Sequence, residues 1–240
     1  MNSFQTWLLN DPSHNINIYD YFDKEKVWIF EEGENMEDVT LTVHNGDLRI
    51  NTVADLPKNT QVLMVKGNLT INDTLTLVGY YPEPFTLGGL IVCGDLKCKS
   101  MHLSWGDIVV MGNAYIEEYI FSYSPEFEQG SVHIRGEISI PYIFRGNQSN
   151  PHYYFDKNSK LGHYLDINFK TNETTSNPRM HIIEHIRINE SNPEIKFTAT
   201  TVEGKRVKFT LDSFYLYCKE NKFTTNQGYP VWKEEASLML

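Results

Sequence analysis

One short pattern recurs along the first two thirds of the chain and constrains its fold more than any other feature. It reads apolar-x-apolar-x-Gly-Asx/Glu-apolar-x-apolar, with glycines at positions 46, 67, 94, 112 and 136. The steps between these glycines are 21, 27, 18 and 24 residues, so the pattern is constant while its connections vary in length. The clear copies are Leu63–Ile71, Leu90–Cys98, Ile108–Ile116 and Val132–Ile140, and a weaker copy surrounds Gly46.

Apolar and polar residues alternate on both sides of each glycine, which is typical of β-strands. The glycine allows a bend where a larger side chain would not fit. Two or three short strands and one variable loop in a unit of this length predict one coil of a parallel β-solenoid. The alternative is a β-meander or sandwich, whose hairpins usually contain Asn-Gly or Asp-Gly turns. The chain has one such turn, Asn45-Gly46, in the weakest copy, which favours the solenoid.

We therefore predict a mainly β protein with a parallel β-solenoid (β-helix) of about five rungs over residues 39–160. Residues 1–38 are rich in aromatic side chains and are predicted to form an N-terminal cap over the first coil. An aromatic platform for a ligand is the alternative interpretation of that segment.

The repeat is lost after about residue 160, and residues 161–240 are predicted to form a C-terminal β-rich capping segment. Within it, Glu194–Thr201 and Arg206–Leu211 flank a Gly-containing turn and predict an antiparallel hairpin. Ser213–Tyr217 either extends that hairpin or begins a helix.

The rung, with the loop that feeds the next rung in Glu128–Gly136, resembles a group of bacterial β-solenoid proteins that repeat V-x-G-D-L. Those proteins close on a segment similar to Ile140–Phe144. Several resemble immunity or accessory proteins of interbacterial toxin systems, including contact-dependent growth inhibition, so the resemblance implies a solenoid with a binding role. This chain departs from the pattern at Ala114 and Glu137, where Leu and Asp are typical. The bactofilin family of polymerising solenoids is similar in shape but has more uniform rungs and fewer long loops.

Two enzyme classes match parts of the sequence. His181–His185 has the H-x-x-E-H spacing of inverted zinc peptidases, which places both histidines on one helix face. However, Ile186–Ile188 resumes strand-like alternation and leaves few residues for a distal ligand. Carbohydrate-active β-helices use clustered acids on an outer sheet, whereas the outer rung positions here include Met64, Ile91 and Val109. We predict a non-enzymatic protein with no catalytic residues, metal site or cofactor.

The chain carries 21 Lys and Arg against 31 Asp and Glu, a net charge of −10. Residues 1–150 hold −11 and the remainder +1. This balance is unsuited to nucleic acid, and no apolar run approaches the roughly 18 residues of a membrane span. The N-terminus lacks a basic segment before an apolar one, and three cysteines without paired spacing fit a reducing compartment. We predict a cytoplasmic protein, monomeric apart from its partner.

The predicted partner is a cognate protein toxin of basic character, which clustered acids would attract. The plainer interpretation of these acids is a solvated surface that keeps the protein soluble. A polymerising scaffold is the alternative function, followed by a carbohydrate-active enzyme. The predicted partner-binding residues are Glu117, Glu118, Glu126, Glu128, Glu31, Glu32, Glu34, Glu37 and Asp38.

Overall fold

The computed structural model of the chain describes residues 3–21, 39–78, 87–104, 106–123, 130–146, 152–155, 159–167, 181–183, 196–200 and 206–220. The helix α1 spans Leu211–Glu220. The strands are β1 (Phe4–Leu8), β2 (Thr40–His44), β3 (Leu48–Ile50), β4 (Val62–Val65), β5 (Leu69–Val78), β6 (Gly89–Val92), β7 (Leu96–Ser104), β8 (Asp107–Val110), β9 (Ala114–Ile116), β10 (Tyr119–Tyr123), β11 (Ser131–Ile134), β12 (Ile138–Gly146), β13 (His152–Phe155), β14 (Lys160–Ile167), β15 (His181–Ile183), β16 (Lys196–Thr200) and β17 (Arg206–Thr210).

Two sheets form the solenoid, and the chain passes from one to the other in every coil. Sheet A has the order β1-β2-β4-β6-β8-β11-β13, and sheet B contains β3, β5, β7, β9, β10, β12 and β14. From β2 onward all pairings within the two sheets are parallel. The predicted parallel β-solenoid is confirmed, and each Gly-Asx/Glu copy occupies the corner that leads from sheet A into sheet B. Pairing of β14 with β12 continues the coils through Ile167.

The main core lies between the inner faces of the two sheets. Sheet A contributes the inward residues Val92, Val110 and Ile134, which are buried as the alternation predicted. Sheet B contributes residues such as Leu75 and Met101, both with no exposed surface. Because every coil adds apolar side chains to the same interior, the core is continuous along the solenoid.

Asx side chains at the corners leading into sheet B bond each coil to the next, and we call this series the Asx ladder. The Oδ1 atom of Asp47 accepts a hydrogen bond from the backbone N–H of Asn68 at 2.8 Å. Asn68 Oδ1 accepts from Asp95 N at 2.8 Å, and Asp95 Oδ1 accepts from Asn113 N at 2.7 Å. The series ends where Asn113 Oδ1 accepts from Glu137 N at 2.9 Å.

Four of the repeated glycines, at positions 67, 94, 112 and 136, are required because the Asx ladder and the backbone of the preceding coil occupy the space where a side chain would begin. A Cβ atom on Gly94 would lie 2.4 Å from Asn68 Oδ1, and one on Gly112 would lie 2.4 Å from Asp95 Oδ1. Both distances are well below van der Waals contact. The glycine and the Asx residue of the preceding coil therefore form one unit.

The N-terminal segment both covers the edge of sheet A and packs across its outer face. β1 pairs antiparallel with β2. Residues 9–21 then cover a second apolar cluster that includes Met64, Ile91 and Val109. These residues point outward as predicted, but they are buried rather than exposed, because Leu9, Ile16 and Ile18 pack against them. The remainder of the predicted cap, residues 22–38, lies outside the described residues.

The C-terminal part contains the predicted hairpin, in which β16 and β17 pair antiparallel. β15 adds a third strand to this sheet. Of the two alternatives for Ser213–Tyr217, the helix is correct, since α1 begins directly after β17. Phe214 and Tyr215 of α1 are buried against aromatic rings of sheet B.

We predict that Gly94→Ala lowers the free energy of unfolding by about 2–3 kcal/mol, because the new methyl group overlaps Asn68 Oδ1. Asn68→Ala alone is expected to cost about 1 kcal/mol through the lost hydrogen bond. In the double variant the overlap with Oδ1 is gone, so the loss should fall at least about 0.5 kcal/mol short of the sum. Urea denaturation of all four proteins measures this coupling.

Asn72→Ala is the matched control, because Asn72 lies four residues after Asn68, in β5, and bonds Asn51 and Arg49 rather than a ladder position. Its effect should add to that of Gly94→Ala. Additive behaviour of Asn68→Ala with Gly94→Ala would contradict the proposed unit.

Candidate functional site

Three acidic segments rejoin the described chain at one corner of the solenoid. Residues 22–38, 79–86 and 124–129, which lie outside the described residues, each end just before the start of a sheet A strand. The residues at the beginning of five neighbouring strands of sheet A lie side by side in the pairing register. We call this row the A corner, and it consists of Thr40, the first residue of β2, and of Gln61, Gly88, Gly106 and Gly130, which directly precede the strands β4, β6, β8 and β11. Neighbouring strands lie about 4.8 Å apart, so the three segments rejoin the solenoid at intervals of about 10 Å.

Hydrogen bonds between coils fix the A corner. Thr40 N donates to Gln61 Oε1 at 2.8 Å, and the Gln61 carbonyl accepts from Gly88 N at 2.9 Å and Gly89 N at 3.0 Å. Asp107 N donates to the Gly88 carbonyl at 3.1 Å. The points from which the acidic segments extend are therefore held in a fixed geometry.

Asp107, Ser131 and His152 share one row of sheet A beside this corner and have the residue types of a hydrolase triad. In such a triad the histidine lies between serine and aspartate and takes the serine proton. Here serine occupies the middle strand, and both its backbone N, at 3.0 Å, and its Oγ donate to Asp107 Oδ1. Asp107 and Ser131 have no exposed surface. This arrangement stabilises the corner and does not activate a nucleophile.

The nine predicted contact residues fall into two groups. Glu126 and Glu128, and the run of Glu31, Glu32, Glu34, Glu37 and Asp38, lie outside the described residues, in segments that rejoin the chain at Gly130 and Val39 of the A corner region. Glu117 and Glu118 lie elsewhere, at the interruption between β9 and β10 in sheet B. The fold thus connects the first group to one corner and separates the second from it.

Glu117 and Glu118 are paired with lysines of the preceding coil. Glu117 lies 3.0 Å from the Nζ of Lys97, and Glu118 lies 3.7 Å from the Nζ of Lys99. Glu118 also accepts a hydrogen bond from the buried Ser100 at 3.2 Å. The charges of these two acids are largely balanced locally, which the sequence could not indicate without the register between β7 and β9.

Charge separates the A corner segments from the coils. Residues 22–38, 79–86 and 124–129 together contain ten acids and two bases, whereas the described residues between 39 and 146 contain eight acids and seven bases. Most of the acidic excess of the first 150 residues is therefore outside the coils. The topology adds Glu83 to the candidate partner-binding acids, because residues 79–86 lead into the solenoid at the same corner.

A second polar cluster lies beneath α1, where aromatic side chains cover the outer face of the second half of sheet B. The Tyr119 hydroxyl donates to Asp212 Oδ1 of α1 at 2.8 Å, and His102 Nε2 lies 3.3 Å from the same hydroxyl. Tyr119 also contacts Tyr215 of α1, with ring centroids 5.7 Å apart. These contacts attach α1 to the solenoid.

Burial perturbs both titratable groups in this cluster. Desolvation lowers the pKa of His102 to about 4, against partial opposition from Asp212 and Asp73. Desolvation, followed by the hydrogen bond to Asp212, raises the pKa of the Tyr119 hydroxyl. His102 Nδ1 is buried and has no hydrogen-bond partner among the described residues. Sequence reasoning missed the cluster, although the repeated aromatic-Ile-aromatic triplets Tyr119–Phe121 and Tyr142–Phe144 were its signal.

The zinc-peptidase motif does not have the local structure that its chemistry needs. His181 begins the extended strand β15, whereas the motif requires a helix, and Glu184 and His185 lie outside the described residues. Among the described residues, no group of three or more His, Cys, Asp or Glu side chains could hold a metal ion.

Of the cysteines, Cys98 is fully buried, which raises the pKa of its thiol, and Cys93 is half-buried. Within the described part of the chain, no helix has both the length and the apolar character needed to cross a membrane. Comparison with protein-family models, curated proteins and solved structures gave no match to this chain.

We predict that acid destabilises the protein through His102. Histidine in the unfolded chain binds a proton below about pH 6.5, whereas folded His102 does so only near pH 4. Between these values the unfolded state holds more protons, so stability falls as the pH is lowered, by roughly 3 kcal/mol at most from this residue. Urea denaturation at several pH values across this window measures the slope.

His102→Phe should remove this part of the pH dependence while keeping a ring in the same place. Tyr119→Phe is the control, because it removes the hydroxyl and its bonds to Asp212 and His102 but leaves His102 buried. Since burial is the main cause of the lowered His102 pKa, this variant should retain the slope. An unchanged slope in His102→Phe would show that another group is responsible.

Proposed function

We propose that this chain is a non-enzymatic immunity protein that binds and neutralises a cognate bacterial toxin domain of basic character. The observation that carries the proposal is the placement of charge at the A corner. Three segments with a combined net charge of −8 rejoin the solenoid there, while the described coils between residues 39 and 146 are nearly neutral. Complementary charge would speed association with a basic partner and favour it over others.

The rigid frame supports the same proposal. Ordering a flexible segment on binding costs free energy and lowers affinity. Acids whose segments join the solenoid at fixed points should therefore bind with a smaller entropic cost. The A corner supplies such points through bonds between coils, including those from Gly88 and Asp107. The resemblance of the rungs to solenoids of interbacterial toxin systems agrees with this role.

Glu117 and Glu118 are each paired with a lysine, which lowers the contribution to toxin binding that we expect from them. Lys97 and Lys99 offset the charge of these two acids, although exposed ion pairs of this kind are weak, so the acids attract a basic partner less than unpaired acids would. We therefore assign the principal contacts to Glu126, Glu128 and the acidic run from Glu31 to Asp38, with Glu117 and Glu118 contributing less.

The two alternative functions have less support. A head-to-tail polymer would continue the parallel pairing of the coils from one molecule to the next. Sheet A instead ends at β1, which runs antiparallel to β2. A carbohydrate-active enzyme would need acids on an open outer face, but residues 9–21 cover part of sheet A and α1 covers part of sheet B. One outer row on the first half of sheet B consists of Arg49, Thr70, Lys97, Tyr115 and Ser139 and carries no carboxylate, and Glu117 beside this row is paired with Lys97.

The proposal is tested by co-expression with the product of the gene directly upstream, followed by toxicity and co-purification assays. We expect that product to be toxic alone, to be neutralised by this chain, and to bind it less tightly as salt rises. A harmless product that does not bind would overturn the proposal.

Charge reversal then tests the A corner itself. Glu126→Lys with Glu128→Lys should slow association roughly tenfold, because local attraction becomes repulsion. The matched control is Asp73→Lys with Glu137→Lys, which changes the net charge equally at exposed positions away from this corner. Both double variants should keep their stability within about 0.5 kcal/mol. Equal slowing by both would show that net charge, rather than the A corner, governs binding.

A further inference from the structure

β1 forms the N-terminal edge of sheet A, and one side of it is unpaired within the described part of the chain. Leu9 N donates to the Val39 carbonyl at 2.7 Å. Because antiparallel pairing alternates, the backbone groups of Gln5 and Trp7 face β2, and those of Phe4, Thr6 and Leu8 face away from it. Thr6 and Leu8 are exposed, Leu8 by 47%.

This edge lacks the features that usually prevent strands from pairing between molecules. Protective features include charged residues, prolines and bulges. The sequence of β1, Phe-Gln-Thr-Trp-Leu, has no charge and no proline, and its pairing with β2 is regular. At the opposite edge of sheet A, the sequence places Pro151 before β13 and Asp156 and Lys157 after it. The two edges therefore differ in how well their sequences oppose pairing.

We propose that β1 pairs antiparallel with β1 of a second copy of this chain, about a two-fold axis at Thr6. The backbone groups of Thr6 would then bond Thr6 of the partner subunit, and Phe4 would lie opposite Leu8 of the partner subunit. Such an interface is self-complementary, since each copy offers the same residues in the same order. It also shields the exposed Leu8 side chain.

A second copy matches this edge because the two-fold pairing sets the apolar Phe4 ring against the exposed, apolar Leu8 side chain at both ends of the strand. Two-fold pairing uses the free edge of β1 in both copies, so no β1 edge remains for a third copy. The product is a dimer rather than a filament. A strand of five residues buries less than the roughly 1,200 Å² typical of stable complexes, so the dimer should be weak and concentration-dependent.

Salt distinguishes this interaction from toxin binding. Each copy carries a net charge of −10, so the two copies repel one another. Salt screens that repulsion and should strengthen the dimer. The proposed binding of a basic toxin should instead weaken with salt, so the two proposals can fail independently.

The test is sedimentation velocity of the purified full chain from about 10 to about 500 µM, at low and high salt. We expect a monomer–dimer equilibrium whose dimer fraction increases with concentration and with salt. Thr6→Pro should abolish the dimer, because the outward N–H is lost while the backbone bonds from Gln5 and Trp7 to β2 remain. It also removes the bond between the Thr6 and Thr42 hydroxyls, and Thr6→Val is the control for that loss. Leu8→Lys should also abolish the dimer, by placing a charge in the interface.

Asn10→Lys is the matched control for charge, since Asn10 is exposed just beyond the strand, and it should retain the dimer. Melting curves identify any variant that fails to fold; if Thr6→Pro fails, Leu8→Lys decides the question. A chain that stays monomeric at the highest concentration in high salt would overturn the proposal. So would a dimer that persists in Leu8→Lys.

Discussion

The hydrogen bond that an Asx side-chain oxygen accepts from the backbone N–H of the next coil is the interaction on which the rest of the structure depends. Strand side chains alternate with a period of two, so a slip of one residue would turn the apolar set outward. The Asx ladder prevents that slip, because Asn68 can enter the next coil only where Gly94 leaves room for it. With register fixed at this corner, the inner face is fixed, and so is the row of positions at the A corner.

Sequence reasoning succeeded where the determining interactions are repeated and local. Alternation around the glycines was sufficient for the solenoid, and two alternating runs about a Gly-containing turn were sufficient for the β16–β17 hairpin. It failed where a distant segment decides the outcome. Met64 and Ile91 point outward as expected, but only the fold shows that residues 9–21 cover them. Likewise, the pairing of Glu117 with Lys97 depends on register between coils of different length. For Glu126, Glu128 and the Glu31–Asp38 run, only the corner to which their segments connect could be established.

The outer surface of the solenoid is used unevenly. Residues 9–21 cover part of sheet A, and α1 covers the aromatic half of sheet B through Phe214 and Tyr215. Both coverings are apolar, although a polar cluster at Tyr119 anchors α1. These elements enlarge the core of a fold whose coils are thin, and they cover parts of both outer faces. The acidic segments that rejoin the solenoid at the A corner carry most of the acidic excess of the first 150 residues.

The A corner accommodates connections of very different length, from the two residues 105–106 between β7 and β8 to the eleven residues 51–61 between β3 and β4, while the strands that follow keep the same register. An insertion or deletion there leaves the Asx ladder intact. The frame and the segments that join it at the A corner can therefore change independently, so that under the proposed function descendants with the same solenoid would acquire different specificities. For protein engineering, the same property makes this row of positions a place to graft foreign loops without redesigning the core.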